Sequence, residues 1–251
     1  MIIFPCSPSR EVIREAVEIF TSWTGEALQE GDCLYRANPC SAEDLAALRV
    51  INFNKPDLND NPLPTEIEFE KSKMEGCQCG KGVVYSGVQI ALLLKKGLSV
   101  MGVQWGEKPI FFTQDYIATF DNNDLRWHLR YGVFSFPSII SLPGIIEAPA
   151  RPREYYLLRN HGVPDQMIPD SLRERYLTTG DARIPRILAG ILLQVFFFYQ
   201  NGDPFCRDPF CSLYHAHWQE ELLRSQENEP YVLCPLHQNA IHGRSGRWAS
   251  V

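Results

Sequence analysis

Apolar and polar positions alternate along this chain with two different periods, and the elements they predict change accordingly. Residues 1–5 (MIIFP) form an apolar run of strand length. Ser7 is placed to cap a helix, and Pro8 fits a first turn, where its missing N–H had no partner to lose. Val12, Ala16, Ile19, Phe20 and Trp23 then fall on one helical face, and Gly25 ends the helix. Ser41 caps a shorter helix through Arg49, followed by strand-like residues 50–53. Prolines, asparagines and aspartates crowd residues 54–64, which read as turns. Residues 65–70 alternate through Ile67 and Phe69 and predict a half-buried strand. Residues 76–87 are glycine-rich, and apolar residues 88–94 predict a helix stopped at Gly97. Residues 99–103, 109–113, 129–136 and 138–141 predict further strands.

Beyond this alternation the pattern changes. Residues 148–153 (APARPR) read as extended, and a long helix runs to Tyr199, with Asp181 as its expected cap and Pro185 in its opening turn. Apolar on nearly every face, it is expected at the centre of a core. The fold class expected is α/β (α+β), a single domain with a mixed sheet and flanking helices. Residues 1–180 carry the sheet, 181–242 the core helix and a Cys/His-rich subdomain, and 243–251 a loose tail. The longest apolar run, 187–199, is broken by Gln194 and falls short of the roughly 18–20 residues needed to cross a bilayer.

Composition narrows the function. With 24 Lys+Arg against 30 Asp+Glu the net charge is −6, so no basic footprint for a nucleic-acid backbone exists. The first residues lack the basic and apolar regions of a signal peptide, which suggests a cytoplasmic protein with no membrane attachment. In that reducing compartment, 8 cysteines point to metal or redox chemistry rather than disulfides.

The sharpest motif is Cys206-x4-Cys211, turned by Pro204 and Pro209, followed at finger-like distance by Cys234-Pro-Leu-His237. Two such knuckles bring four soft or borderline donors to the corners of a tetrahedron, the arrangement zinc prefers. With all four corners filled by protein no water has a place, so the zinc expected here is structural. His215 is an alternative to His237 as fourth ligand.

These residues resemble the structural zinc site of the archaemetzincins, zinc peptidases of the metzincin type, whose form is C-x4-C, a long spacer, then C-P-x-C. Cys206, Cys211 and Cys234 match three of its cysteines, and His237 stands in place of the last. Upstream, MIIFP with its helix, FFTQD, and YGVFSFPSIIS are similar to the family's strand order. The chain also looks like a divergent archaeal group classed with the metallopeptidases. The resemblance implies a metzincin-like domain, and a catalytic zinc on HExxHxxGxxH in the helix before the first cysteine. Here that helix reads LQVFFFYQ, and no HExxH occurs in the chain. Leu193 and Phe197 offer no metal ligand. Gln194 stands where the base would be if two residues are inserted before Cys206, and an amide takes no proton at neutral pH. Leu213 replaces the methionine of the family's following turn.

Weaker candidates remain. His217 and Glu221 lie at i and i+4, so on a helix both would reach one cation, with His215 and Glu220 nearby. The competing reading is a solvated helix face. Cys77 and Cys79 suit a redox pair or half a metal site, which Cys6, Cys33 and Cys40 would complete if the fold brings them together, against the plainer reading of buried thiols. Arg151 and Arg153, fringed by Glu147 and Glu154, suit recognition of a peptide carboxylate or simple surface pairing. His128 is expected as a structural hydrogen-bonder and His161 as a turn residue. The reading that follows is a non-proteolytic, metallopeptidase-like protein with one structural zinc, no second, catalytic zinc, and a peptide or protein partner. An active hydrolase with a metal relocated to His215, His217 and Glu221 is the alternative, and a zinc-stabilised subunit of a complex is a third.

Overall fold

A computed structural model describes residues 1–5, 9–31, 41–76, 82–227 and 231–242. Its main sheet places β1 (Ile2–Phe4) between β2 (Gln29–Glu30) and β4 (Pro109–Thr113), followed by β8 (Ser138–Ser141) and, at the edge, β7 (Gly132–Val133). The pairings β1–β2, β1–β4 and β4–β8 are parallel and β7–β8 is antiparallel. Side-chain alternation sorts the strands onto two faces. Ile3, Ile110, Phe112 and Ile140 join one buried cluster, while Phe4, Phe111 and Ile139 join another on the opposite face. Because the sheet is covered on both sides, every residue of PIFFT and SIIS is buried, the polar Thr113, Ser138 and Ser141 included.

Helix α1 (Arg10–Thr24) ends as expected at Gly25, whose φ of 67° suits glycine and whose N–H bonds to the Thr21 carbonyl at 2.8 Å. Helix α2 (Ala42–Ala47) starts at a capping box between Ser41 and Asp44. The expected Ser7 cap, Pro8, the cysteines at 6, 33, 40, 77 and 79, and the tail at 243–251 lie outside the described residues. A second sheet, β3 (Val84–Ser86), β5 (Tyr116–Asp121) and β6 (Arg126–Arg130), stands beside the main one, with Thr119 opposite His128.

Several expectations are corrected. Residues 65–70 are not a strand but part of helix α3 (Pro64–Gly76). The inward face of α3 is polar: Glu70 is fully buried, and Lys73 bonds Glu70 at 2.9 Å, Asp115 at 3.1 Å and the Tyr85 hydroxyl at 2.7 Å. Arg49 reaches Glu70 at 2.6 Å. A helix that buries charge shows no apolar stripe, so its period is hidden. Residues 99–103 are not a strand either. Helix α4 (Gly87–Met101) runs straight through Gly97, which is buried, and stops at Gly102 with φ 74°. Residues 50–53 form no strand, only a bridge from Val50 to Leu58. The expected strand 129–136 is divided between β6 and β7.

The remaining helices are α5 (Leu142–Glu147), α6 (Arg153–Asn160), α7 (Asp170–Arg173), α8 (Ile184–Asn201), α9 (Gln219–Gln226) and α10 (Pro235–His242). Helix α8 packs on α1, and every side chain from Ile187 to Phe197 is buried. Asp181 is not its cap. The cap position is Arg183, and the Asp181 carboxylate instead accepts from the Arg183 backbone N–H at 3.0 Å, shaping the turn before the helix. Among the described residues no helix is long and apolar enough to cross a membrane.

Candidate metal centre

Gly202 ends α8 with φ 83°, and the chain then doubles back on itself. The Cys206 N–H donates to the Leu213 carbonyl at 2.8 Å, the His215 N–H to the Cys206 carbonyl at 3.0 Å, and the Cys211 N–H to the Asp208 carbonyl at 3.1 Å. Inside this loop the Asp208 N–H points at the Cys206 sulfur, 3.4 Å away. A backbone bond of 2.7 Å from Ser212 to Val232 draws in the second segment. Cys234 stands just before α10, and one turn into that helix the His237 N–H bonds the Cys234 carbonyl at 3.0 Å.

The two knuckles therefore converge. One ligand atom from each of Cys206, Cys211, Cys234 and His237 lies within 4.8 Å of the other three. The Cys206 and Cys234 sulfurs are 3.8 Å apart, Cys211 Sγ is 3.8 Å from His237 Nδ1, and Cys234 Sγ is 3.0 Å from it. A tetrahedral zinc, with Zn–S about 2.3 Å and Zn–N about 2.0–2.1 Å, sets sulfur–sulfur edges of about 3.8 Å and sulfur–nitrogen edges of about 3.5 Å. A disulfide needs about 2.05 Å, so these sulfurs are free thiols. The donor set and its spacing fit a metal ion.

The electrostatics agree with such a role. Cys211 and His237 are buried, Cys206 and Cys234 half-buried. Burial raises the Cys206 thiol and pushes the Cys211 thiol up to about 12, and it lowers the His237 imidazole below its ordinary value. Without a cation the three groups are thus neutral at pH 7. A divalent ion held by these four residues would supply the charge that favours the deprotonated thiolates. The His237 ring stands edge-on to Phe197 of α8 with centroids 5.1 Å apart, tying the centre to the core helix.

The other candidates are dispersed. His215 is outside the ligand group: exposed, its ring stacks on Phe205 at 4.2 Å and lies 4.8 Å from the ring of His217. The helical pairing of His217 with Glu221 does not form, because His217 precedes α9. The Glu221 carboxylate instead accepts from the His217 and Trp218 backbone N–H groups at 2.8 and 3.2 Å, capping the helix. Glu220 pairs with Arg175 at 2.6 Å. Arg151 pairs with Glu147 at 3.0 Å and lies over the rings of Tyr155 and Tyr176, while Arg153 covers Trp218. In α8, Leu193, Gln194 and Phe197 are buried in the core, and Leu213 is fully buried. His128 bonds Asp124 at 2.8 Å, and His161 Nδ1 bonds the Leu157 carbonyl at 2.7 Å at the end of α6.

Sequence reasoning missed a second convergence. Asp121, Asp124 and His128 meet across the β5–β6 hairpin within reach of one cation, though Arg126 already pairs with Asp124 at 2.8 Å. Only the strand pairing reveals it, since the three positions share no knuckle spacing.

No curated protein and no solved structure matches the chain. A family model does, over residues 28–243, and its description is "Probable metallopeptidase family (DUF6775)". That match takes in the main sheet from β2 onward, the core helix and all four converging Cys and His residues, and so the chain belongs to the family this model describes.

Proposed function

We propose that the protein is a non-proteolytic member of its family, similar in plan to the archaemetzincins, which holds one structural zinc and binds a peptide or protein partner. The observation that carries this is the contrast between two neighbouring places. Three thiols and one imidazole converge as a closed four-donor set, in which every corner is filled by protein. Helix α8, where the resemblance would put a catalytic zinc, buries Leu193, Gln194 and Phe197, none able to activate water. A soft, sulfur-rich tetrahedral set favours zinc over the hard divalent cations, which take oxygen ligands. Free thiols at half-buried positions suit the reducing cytoplasm.

A relocated catalytic metal at His215 and His217 is the second reading, favoured by the 4.8 Å separation of their rings. It lacks a third ligand, because Glu221 is committed to capping α9.

The test is hydrolysis of a broad peptide library by the zinc-loaded protein, followed by mass spectrometry. No cleavage above a protein-free control is expected. Cleavage abolished by His217→Ala would replace this reading with the second.

A further inference from the structure

Beside the C-terminal end of α8 lies a groove of about 330 Å³, walled by that helix, β6, β7 and the loop before Cys206. Its one charged lining residue is Arg130. Arg130 is exposed, and its Nε donates to Thr119 Oγ1 at 2.8 Å. Among the described residues no carboxylate pairs with it, whereas Arg126, on the same strand, pairs with Asp124. The Thr119 bond holds the plane of the guanidinium and leaves the paired Nη groups for a planar anion.

The rest of the groove is aromatic. Phe134 meets Phe205 edge-on at 5.3 Å and Phe198 at 6.5 Å, all three half-buried. Phe205 is backed by the stacked ring of His215. Gly132 and Val133 of β7 also line the groove, and β7 is the outermost strand of the main sheet, paired only with β8 among the described residues. An edge strand offers backbone N–H and C=O groups to an extended chain.

We infer that this groove takes the C-terminal residue of a peptide, its free carboxylate on Arg130, its aromatic side chain among Phe134, Phe198 and Phe205, and its backbone along β7. The inference deepens the peptide-binding reading above and rests on it. A groove at the small end of the ligand-site range suits one residue rather than a long segment. One fixed cation matches a carboxylate monoanion, and a phosphate dianion would leave a charge unmatched.

The experiment is calorimetric titration of the full-length, metal-loaded protein with N-acetyl-Gly-Gly-Phe, as the free acid and as the C-terminal amide. Saturable 1:1 binding of the acid is expected, with the amide at least about tenfold weaker, the scale of a charge-assisted hydrogen bond. Arg130→Gln should weaken the acid by a similar factor and leave the amide unchanged, and N-acetyl-Gly-Gly-Ala should bind more weakly than the Phe peptide. Should Arg130→Gln fail to fold, Thr119→Val releases the guanidinium and should weaken only the acid. Equal binding of acid and amide, no saturable binding of either, or displacement of the peptide by equimolar inorganic phosphate would overturn the inference. Zinc content of the same samples separates the two proposals. Acid-selective binding by zinc-free protein refutes the structural metal alone, and one zinc without acid selectivity refutes the groove alone.

Discussion

The phenol of Tyr131 donates a 3.1 Å hydrogen bond to the side-chain oxygen of Gln194, a residue with no exposed surface. Burial pushes the Tyr131 hydroxyl well above its ordinary range, so neither partner carries charge at neutral pH. The centre of α8 thus holds an uncharged, hydrogen-bonded pair.

Gln194→Glu tests this. Burial favours the protonated form of a new carboxyl, so its folded pKa rises above the unfolded value of about 4.3. The sign follows: relative to wild type at each pH, the variant is least affected below about pH 4 and loses stability as pH rises. A shift of two to three units corresponds to about 3–4 kcal/mol between pH 4 and pH 8. Urea unfolding at both pH values reads the difference, and no peptidase activity should accompany it.

Lys73 is the hub of the buried ion cluster. Lys73→Met removes the ammonium that pairs with both buried carboxylates, Glu70 and Asp115, while Arg49 still reaches Glu70. Removing one partner of a buried network costs about 3–5 kcal/mol. Tyr85→Phe removes the hydroxyl that donates to Glu70 at 2.6 Å, and about 1–3 kcal/mol is expected. Recovery of part of the Lys73→Met loss by adding Asp115→Asn would show that stranded charge, not lost packing, is responsible.

This cluster also marks the limit of what the sequence made legible. The strands at 109–113 and 138–141 could be read because both faces of the main sheet are buried, and α1 because its apolar stripe meets α8. Helix α3 could not, because its inner face is Glu70 and Lys73, and chance alternation of Ile67 with Phe69 imitated a strand. The convergence of Cys206, Cys211, Cys234 and His237 was legible because each knuckle is local, its two members a few residues apart. The Arg130 groove was not: Thr119, Arg130, Phe198 and Phe205 come from four separate segments. Arg151 and Arg153 stood out on a proline-stiffened stretch, yet their guanidinium groups are taken up by aromatic rings and Glu147.

Asp181 supplies a pH dependence. Burial works to raise its carboxyl, but hydrogen bonds from the Arg183 guanidinium and backbone outweigh it and hold the group below its ordinary value. A depressed folded pKa stabilises above the unfolded value of about 3.9, and the gain is lost as pH falls through the folded pKa. Asp181→Asn should cost about 1–2 kcal/mol at pH 7 and progressively less as pH falls below 4. An equal loss at pH 2.5 and pH 7 would contradict the ionic account.

Glu221 and His217 separate capping from catalysis. Glu221→Gln weakens the cap on α9, at a cost of about 1 kcal/mol in thermal or urea unfolding. His217→Ala, at an exposed position, should change stability by less than about 0.5 kcal/mol. Neither variant should lose metal.

The most direct measurement is zinc per chain, by elemental analysis of untagged protein purified without chelator. The account predicts one zinc, lost together with cooperative unfolding when Cys211, the fully buried ligand, is changed to Ser. Two zinc ions per chain would contradict a solely structural metal, and none would remove the metal centre itself.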